Sequence, residues 1–284
     1  MNNLQDNPRQ TFVTRLPKVG VVNSRLDFIL ERCQGKKVLH LGCANERFLE
    51  KKLKEGLLTH LRLKKVAREV WGVDINQEGI RMLKDLGLDK LILADVEKID
   101  EISEIKNQNF DLILATEIIE HLYNPGIFLK KIRNLFAPDT KMMISVPSSI
   151  QLTALEFSFR GYEMTHPEHN FWFSFKTLSH LLMNLGYKIN EVCTYSNIDI
   201  QSSITKKILK KMWKIIARPF GTSGEKEKNN LDQTNESCLK FGFGIKLIFQ
   251  IMARRFFYRL NPFFADGIIF IIELNDHQNR EADG

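Results

Sequence analysis

Two groups of residues in this chain have types and spacings that suit chemistry. The first is Glu117-x-x-Glu120-His121, with a second set of imidazoles downstream at His166-Pro167-Glu168-His169. Imidazole titrates near neutral pH and is the usual side chain for moving a proton at pH 7. If Glu117 opens a helix, positions i, i+3 and i+4 share one face, so both glutamates and His121 point the same way. The second group is spread along the chain: Gly42 in His40-Leu41-Gly42-Cys43-Ala44-Asn45, then Asp74, then Asp95. Gly42 allows the backbone to approach a ligand closely. A carboxylate at Asp74 can accept both hydroxyls of a ribose, and Asp95 can accept from an exocyclic amine.

The elements that must position these residues follow from the hydrophobic pattern. Short apolar runs at 37–41, 70–74, 90–94, 110–115, 141–146, 187–195 and 267–274 read as strands. Amphipathic stretches at 24–32, 48–63, 78–86, 127–135 and 174–185 read as helices between them. Ser174 is the expected N-cap of the last of these, with Gly186 after its end. Alternation of this kind predicts an α/β fold, a Rossmann-like seven-stranded and mostly parallel sheet with helices on both faces. In such sheets ligands bind beyond the carboxyl ends of the strands, and Gly42, Asp74, Asp95 and Glu117 all fall there.

The segments VLHLGCAN, VWGVDIN, LILADVE and FDLILATEIIEHLYNPGIFLKKI resemble the successive motifs of class I S-adenosylmethionine-dependent methyltransferases. The ISVPSS and HPEHNFWFSFKTLSHLLMNLGY stretches extend the likeness, which spans roughly residues 35–195 plus the last strand. The group it looks most like contains quinone-biosynthetic O-methyltransferases and methyltransferases of bacterial glycan and secondary metabolism. The resemblance implies S-adenosylmethionine as cofactor and an antiparallel last strand. It places Gly42, with Cys43 and Ala44, against the methionine moiety, Asp74 on the ribose and Asp95 on the adenine amino group. Ile75 and Val96 flank the adenine ring, and Thr116 and Glu117 complete the cofactor-binding set. The family's glycine loop usually reads GxGxG; here Ala44 and Glu46 stand at the later glycine positions, so a different loop is expected. The missing glycines also count against a dinucleotide-binding dehydrogenase, which must accommodate a pyrophosphate.

Methyl transfer from a sulfonium is an in-line displacement that requires alignment, exclusion of water and, for a hydroxyl acceptor, removal of a proton. His121, Glu120 and His169 are the expected catalytic residues, with an imidazole as general base. No metal is favoured. As an alternative, Glu117, Glu120, His121 and His169 (or His166) look like the divalent-cation site of small-RNA 3′-terminal 2′-O-methyltransferases, and carboxylate plus imidazole suits magnesium or manganese. The expected activity is O-methylation of a small-molecule, glycan or lipid-linked acceptor. The competing readings are a metal-dependent RNA 2′-O-methyltransferase and a non-catalytic S-adenosylmethionine-binding module. Phe157, Phe159, Phe171, Trp172, Phe173 and Phe175 crowd the region after the fifth strand, where they supply core and an acceptor pocket.

The net charge of +7 is uneven. Residues 201–262 hold 13 Lys and Arg against 4 Asp and Glu, while the rest of the chain holds 28 against 30. At about 100° per residue, Ile204, Ile208, Leu209, Met212, Trp213, Ile215 and Ile216 fill one half of a helical wheel and Lys206, Lys207, Lys210, Lys211 and Lys214 the other. The expected organisation is a helical extension at 1–34, a cofactor-binding domain at 35–200 and 263–277, and a basic amphipathic insertion at 201–262 suited to an anionic membrane surface. An RNA-binding lid is the weaker alternative for that segment. Scattered cysteines, the polar start and the lack of any apolar run of 18 residues predict a cytoplasmic protein, with peripheral attachment to the inner face of the membrane as a variant.

Overall fold

A computed structural model describes residues 13–44, 49–196, 253–254 and 256–275. In chain order the main elements are β1 Val21–Val22, α1 Arg25–Cys33, β2 Lys37–Leu41, α2 Leu49–Lys54, α3 Thr59–Val66, β3 Glu69–Asp74, α4 Gln77–Asp85 and β4 Leu91–Leu93. They continue with β5 Leu112–Thr116, α5 Pro125–Lys131, β6 Lys141–Pro147, α6 Leu152–Ser158, α7 Phe175–Asn184, β7 Tyr187–Tyr195 and β8 Gly267–Leu274. The strands form one sheet in the order β1-β7-β8-β6-β5-β2-β3-β4. β8 pairs antiparallel with both β6 and β7, and the other pairings are parallel.

The seven expected strands are therefore present and the last is antiparallel. An eighth, Val21–Val22, adds to the outer edge beside Thr194 and Tyr195. Two residues carry too little periodicity to be read as a strand. The expected helix over 48–63 is two helices: Gly56, at φ +64, breaks it, because the left-handed region ends a helix and costs glycine little. Helix 127–135 ends early as α5 and finishes in a 3-10 turn, Ile132–Leu135. Asn124 caps α5 by accepting from the Ile127 N–H, with Pro125 in the first turn where its missing N–H costs nothing. Ser174 caps α7, and its side chain and that of Thr177 bond each other's backbone N–H groups.

The core lies on both faces of the sheet. On one face Leu39, Leu41, Ile113, Ile144, Phe270 and Ile272 pack against α5 and α7 through Phe128, Leu129, Leu178 and Leu182. On the other, Val38, Val70, Leu114, Met143 and Ile269 pack against Ile29, Leu30 and Cys33 of α1 and Leu63 of α3. The alternation of faces along each strand is the period of two seen in the sequence. Residues 21–33 thus contribute a strand and a helix to this same sheet. Of the basic segment, the described part is helical over 253–254 and 256–260, and the amphipathic stretch at 202–218 lies outside the described residues.

Candidate active site

β2 stands between β3 and β5: the chain runs outward from β2 through β3 to β4 and then crosses back to β5, so a crevice opens at the carboxyl end of β2. Gly42 and Glu117 flank this switch point. Gly42 has φ +69, and a Cβ there would collide with the Ile118 side chain. Its N–H and that of Cys43 both donate to Val73 O. Left-handed φ among the described non-glycine residues occurs only at Lys90, Asn109 and Glu117, so Ala44 needs no glycine. The space expected of a second glycine is supplied elsewhere. Gly79 in the first turn of α4 is where a Cβ would press on Ala44 O at 2.6 Å and on the Ala44 methyl at 2.9 Å. The sequence carried that signal as a glycine inside a helix, a residue that otherwise weakens one. Asn45 and Glu46 lie outside the described residues.

Asp74 ends β3 and is buried, at 2% exposure. Its Oδ2 accepts the Ala44 N–H at 2.7 Å and its Oδ1 the Asn76 N–H at 2.8 Å. The carboxylate thus clamps the loop after β2 to the turn before α4. An ionised carboxylate has about four acceptor positions, more than these two N–H groups use. Ile75 is 67% exposed beside it. Asp95 caps a 3-10 turn through the Glu97 N–H at 2.9 Å, and Val96 packs partly into the core. Gly42, Asp74 and Asp95 therefore stand at the carboxyl ends of three adjacent strands, β2, β3 and β4.

Glu117 does not begin a helix. It takes φ +57 at the end of β5, and residues 117–123 form turns. The shared face assumed for positions 117, 120 and 121 is therefore absent. Glu117 Oε1 accepts from Tyr195 Oη at 2.7 Å and Ser145 Oγ at 2.9 Å, and pairs with Arg25 Nη1 at 3.2 Å. Arg25 and Tyr195 were not singled out from the sequence, since nothing local to either points to β5. Glu120 is 1% exposed, and neither of its carboxyl oxygens has a hydrogen-bond partner. Burial, reinforced by the nearby Glu117 charge, pushes its carboxyl well above the usual carboxylate range.

His121 and the loop after α6 do come together. Asn170 and Phe171 donate backbone N–H groups to Glu120 O, and Asn170 Nδ2 donates to His121 O at 2.7 Å. This stitching brings the His121 ring within 4.6 Å of His169 and 5.7 Å of His166, centroid to centroid. One ring nitrogen from each of the three lies within 4.8 Å of the others. Among the described residues, no other set of three metal-ligating side chains meets that limit, and neither Glu117 nor Glu120 belongs to it. Burial and then the neighbouring His166 lower the His121 pKa; burial, His121 and His166 lower that of His169. Both rings are thus neutral at pH 7 and able to accept a proton.

The methyltransferase domain family matches residues 17–192, more than half of the chain. A ubiquinone biosynthesis O-methyltransferase of Bradyrhizobium diazoefficiens is 33% identical over 112 residues, which is 39% of this chain and 40% of that protein. The mitochondrial ubiquinone biosynthesis O-methyltransferase of Homo sapiens is 29% identical over 124 residues, covering 42% of this chain and 31% of that one. The chain thus aligns with less than half the length of these relatives. A solved S-adenosylmethionine-dependent methyltransferase from Archaeoglobus fulgidus superposes over 88% of this chain and 91% of its own, with a TM-score of 0.46 and 18% identity. With the family match covering the strands that carry Gly42, Asp74, Asp95 and Glu117, the chain belongs to the class I S-adenosylmethionine-dependent methyltransferases.

Proposed function

We propose that this protein methylates a hydroxyl oxygen on a small organic acceptor with substantial apolar bulk. The observation that carries the reading is the cluster of His121, which lies in the loop after β5, with His166 and His169; burial and the neighbouring imidazoles lower the pKa of His121 and of His169. S-adenosylmethionine supplies a methyl group on a sulfonium centre. In this reading Gly42, Cys43 and Ala44 lie against its methionine end, Asp74 takes the ribose and Asp95 the adenine amino group. Ile75 and Val96 flank the adenine ring, and Thr116 and Glu117 complete the set on the methionine side, next to the methyl group. When bound, S-adenosylmethionine would give up that methyl to the acceptor oxygen with loss of the carbon–sulfur bond, and His121 or His169 would receive the hydroxyl proton.

Acceptor and partner follow from what surrounds the mouth. The relatives named above are O-methyltransferases of ubiquinone biosynthesis, which favours a hydroxylated ring with a hydrophobic substituent over a nucleic acid. Phe157, Phe159 and Tyr162 at and after α6 are 38%, 91% and 65% exposed, and Phe256 and Leu260 are 59% and 64% exposed. Arg254 donates to Thr153 Oγ1 at 2.7 Å, so these two aromatic segments are neighbours at the strand ends. Together with the 13 basic residues of 201–262 they support docking on an anionic membrane from the cytoplasmic side. No described helix is long and apolar enough to cross a membrane. The proposed division of the chain is an extension at 1–34, whose residues 21–33 add an edge strand and a helix to the sheet, a cofactor-binding domain at 35–200 with 263–277, and a membrane-facing insertion at 201–262.

The test is transfer of labelled methyl from S-adenosylmethionine into lipid, glycan and RNA fractions, with co-sedimentation on anionic and neutral vesicles at two salt concentrations. Label in the apolar extract and salt-sensitive sedimentation on anionic vesicles are expected. Label confined to RNA, with binding that weakens steeply with salt, would replace this reading by an RNA methyltransferase. S-adenosylmethionine binding without transfer to any fraction would leave a non-catalytic module.

A second reading rests on the same three imidazoles together with the orphaned Glu120 carboxyl. Such nitrogen-rich sets suit zinc or a similar divalent ion, which would hold the acceptor oxygen as an anion. The ligands would then be His121, His166 and His169, with Glu117 bound instead to Arg25, Ser145 and Tyr195. Activity that survives exhaustive chelation rejects it.

A further inference from the structure

Tyr195 is the last residue of β7 and sits 1% exposed. Opposite it in the register is Gly267, the first residue of β8. A Cβ on Gly267 would lie inside the Tyr195 ring, against Cε1, Cζ and the hydroxyl. The missing side chain on β8 is therefore the space that the tyrosine occupies. From there Tyr195 Oη reaches Glu117 Oε1 at 2.7 Å, and the Arg25 guanidinium lies over its ring at 5.2 Å from the centroid. Ser145 Oγ donates to the same Oε1, and Arg25 Nη1 lies 3.2 Å from it. All three donors meet one oxygen of the carboxylate, and none of these bonds uses Oε2. Glu117 itself holds a left-handed φ of +57, a conformation a non-glycine residue keeps only where its surroundings enforce it. Tyr195, Ser145 and Arg25 come from three separate elements and supply that enforcement.

We infer that Tyr195, in the room left by Gly267, is a positioning residue that turns Oε2 of Glu117 toward the α-ammonium group at the methionine end of the cofactor. The inference rests on the proposed cofactor role of Glu117. A carboxylate with one oxygen saturated and fixed has a single direction in which to receive a cation. Glu117 directly precedes Ile118, whose side chain occupies the place a Cβ on Gly42 would take, so the carboxylate is carried one residue from the loop proposed to hold the amino-acid end. Tyr195 touches no reacting atom in this arrangement and acts through Glu117 alone.

Calorimetry on the full chain with two probes tests this. S-adenosylhomocysteine carries the amino-acid end; 5′-methylthioadenosine lacks it and shares the rest. Tyr195→Phe keeps the ring and removes the hydroxyl. It should weaken S-adenosylhomocysteine by about tenfold, the scale of a hydrogen bond to a charged group, and leave methylthioadenosine unchanged. Gly267→Ala should reproduce the selective loss by pushing the ring aside. Equal weakening of both probes in Tyr195→Phe makes the tyrosine a merely structural residue and overturns the inference. So does unchanged affinity for both when the wild type prefers S-adenosylhomocysteine and Glu117→Gln abolishes that preference. If Glu117→Gln leaves the preference intact, the cofactor role of Glu117 fails first and the inference falls with it. Should Gly267→Ala not fold, the tyrosine variant decides alone.

Discussion

Gly42 packs directly on Ile118: the Cα of the first is covered by the side chain of the second, leaving no room for a Cβ. The contact joins the end of β2 to the end of β5 across the point where the strand order reverses. Gly42→Ala would incur both this collision and the strain of φ +69. The expected cost is about 1–3 kcal/mol in stability, with a loss of S-adenosylmethionine affinity beyond it. Thermal unfolding and calorimetry on the same preparation separate the two. A variant with wild-type affinity would show that the loop after β2 does not approach the cofactor.

Asp74 has a different vulnerability. Each carboxylate oxygen faces a backbone N–H, from Ala44 and Asn76. Asp74→Asn keeps the shape but sets an amide N–H against one of those donors. Hydrogen bonds to charged groups are worth about 1.5–3 kcal/mol, so a destabilisation of that size is expected together with weakened cofactor binding. Equal stability of Asp74→Asn and wild type in urea titration would mean that the clamp does not hold the loop.

Beneath that loop lies a buried pair. His40 Nδ1 and His60 Nδ1 are 3.2 Å apart with the rings stacked, and both residues are buried. One nitrogen must carry a proton and the other must not. Burial pushes His40 down from 6.5 to about 4. Between those values the unfolded chain binds the proton and the folded chain does not, so stability is full above pH 6.5 and falls as the pH drops toward 4. The loss is about 3 kcal/mol for a shift of that size. Denaturant midpoints measured from pH 7 to pH 4 should decline, and His40→Asn, which can keep one hydrogen bond to His60, should flatten the decline. The same slope in His40→Asn would assign it to other groups.

The imidazole cluster predicts the acid limb of the rate. His121 and His169 titrate below the ordinary histidine value because burial opposes protonation, helped by the neighbouring His166 at His121 and by His121 and His166 at His169. The basic form is lost only as the pH falls below that ordinary value, so activity should hold through neutrality and decline on the acid side of pH 6.5. Replacing the operative base by Gln should cut the rate by about 10²–10⁴ while leaving S-adenosylmethionine affinity in place. Rates of His121→Gln, His169→Gln and the double variant decide which ring acts. Unchanged rates in all three would remove the general-base assignment.

The sequence by itself determined the order of strands and helices, because burial alternates with period two in one and near 3.6 in the other. It determined the carboxyl-end positions of Gly42, Asp74, Asp95 and Glu117, because strand ends are marked by glycine and acids. It also carried His121, His166 and His169 as candidates, though not their mutual contact, which depends on Asn170 and Phe171 bonding back to Glu120 O. What only the tertiary structure decided is non-local. The left-handed turn at Glu117 replaced an expected helix because Ser145 O, Ser145 Oγ, Tyr195 and Arg25 together outweigh local helical preference. Their partnership spans β6, β7 and α1, separations that no window of sequence can join. Gly79 and Gly267 read in the sequence as an ordinary helix residue and strand start. Only packing shows that each is the absence of a side chain where another residue, Ala44 or Tyr195, must fit.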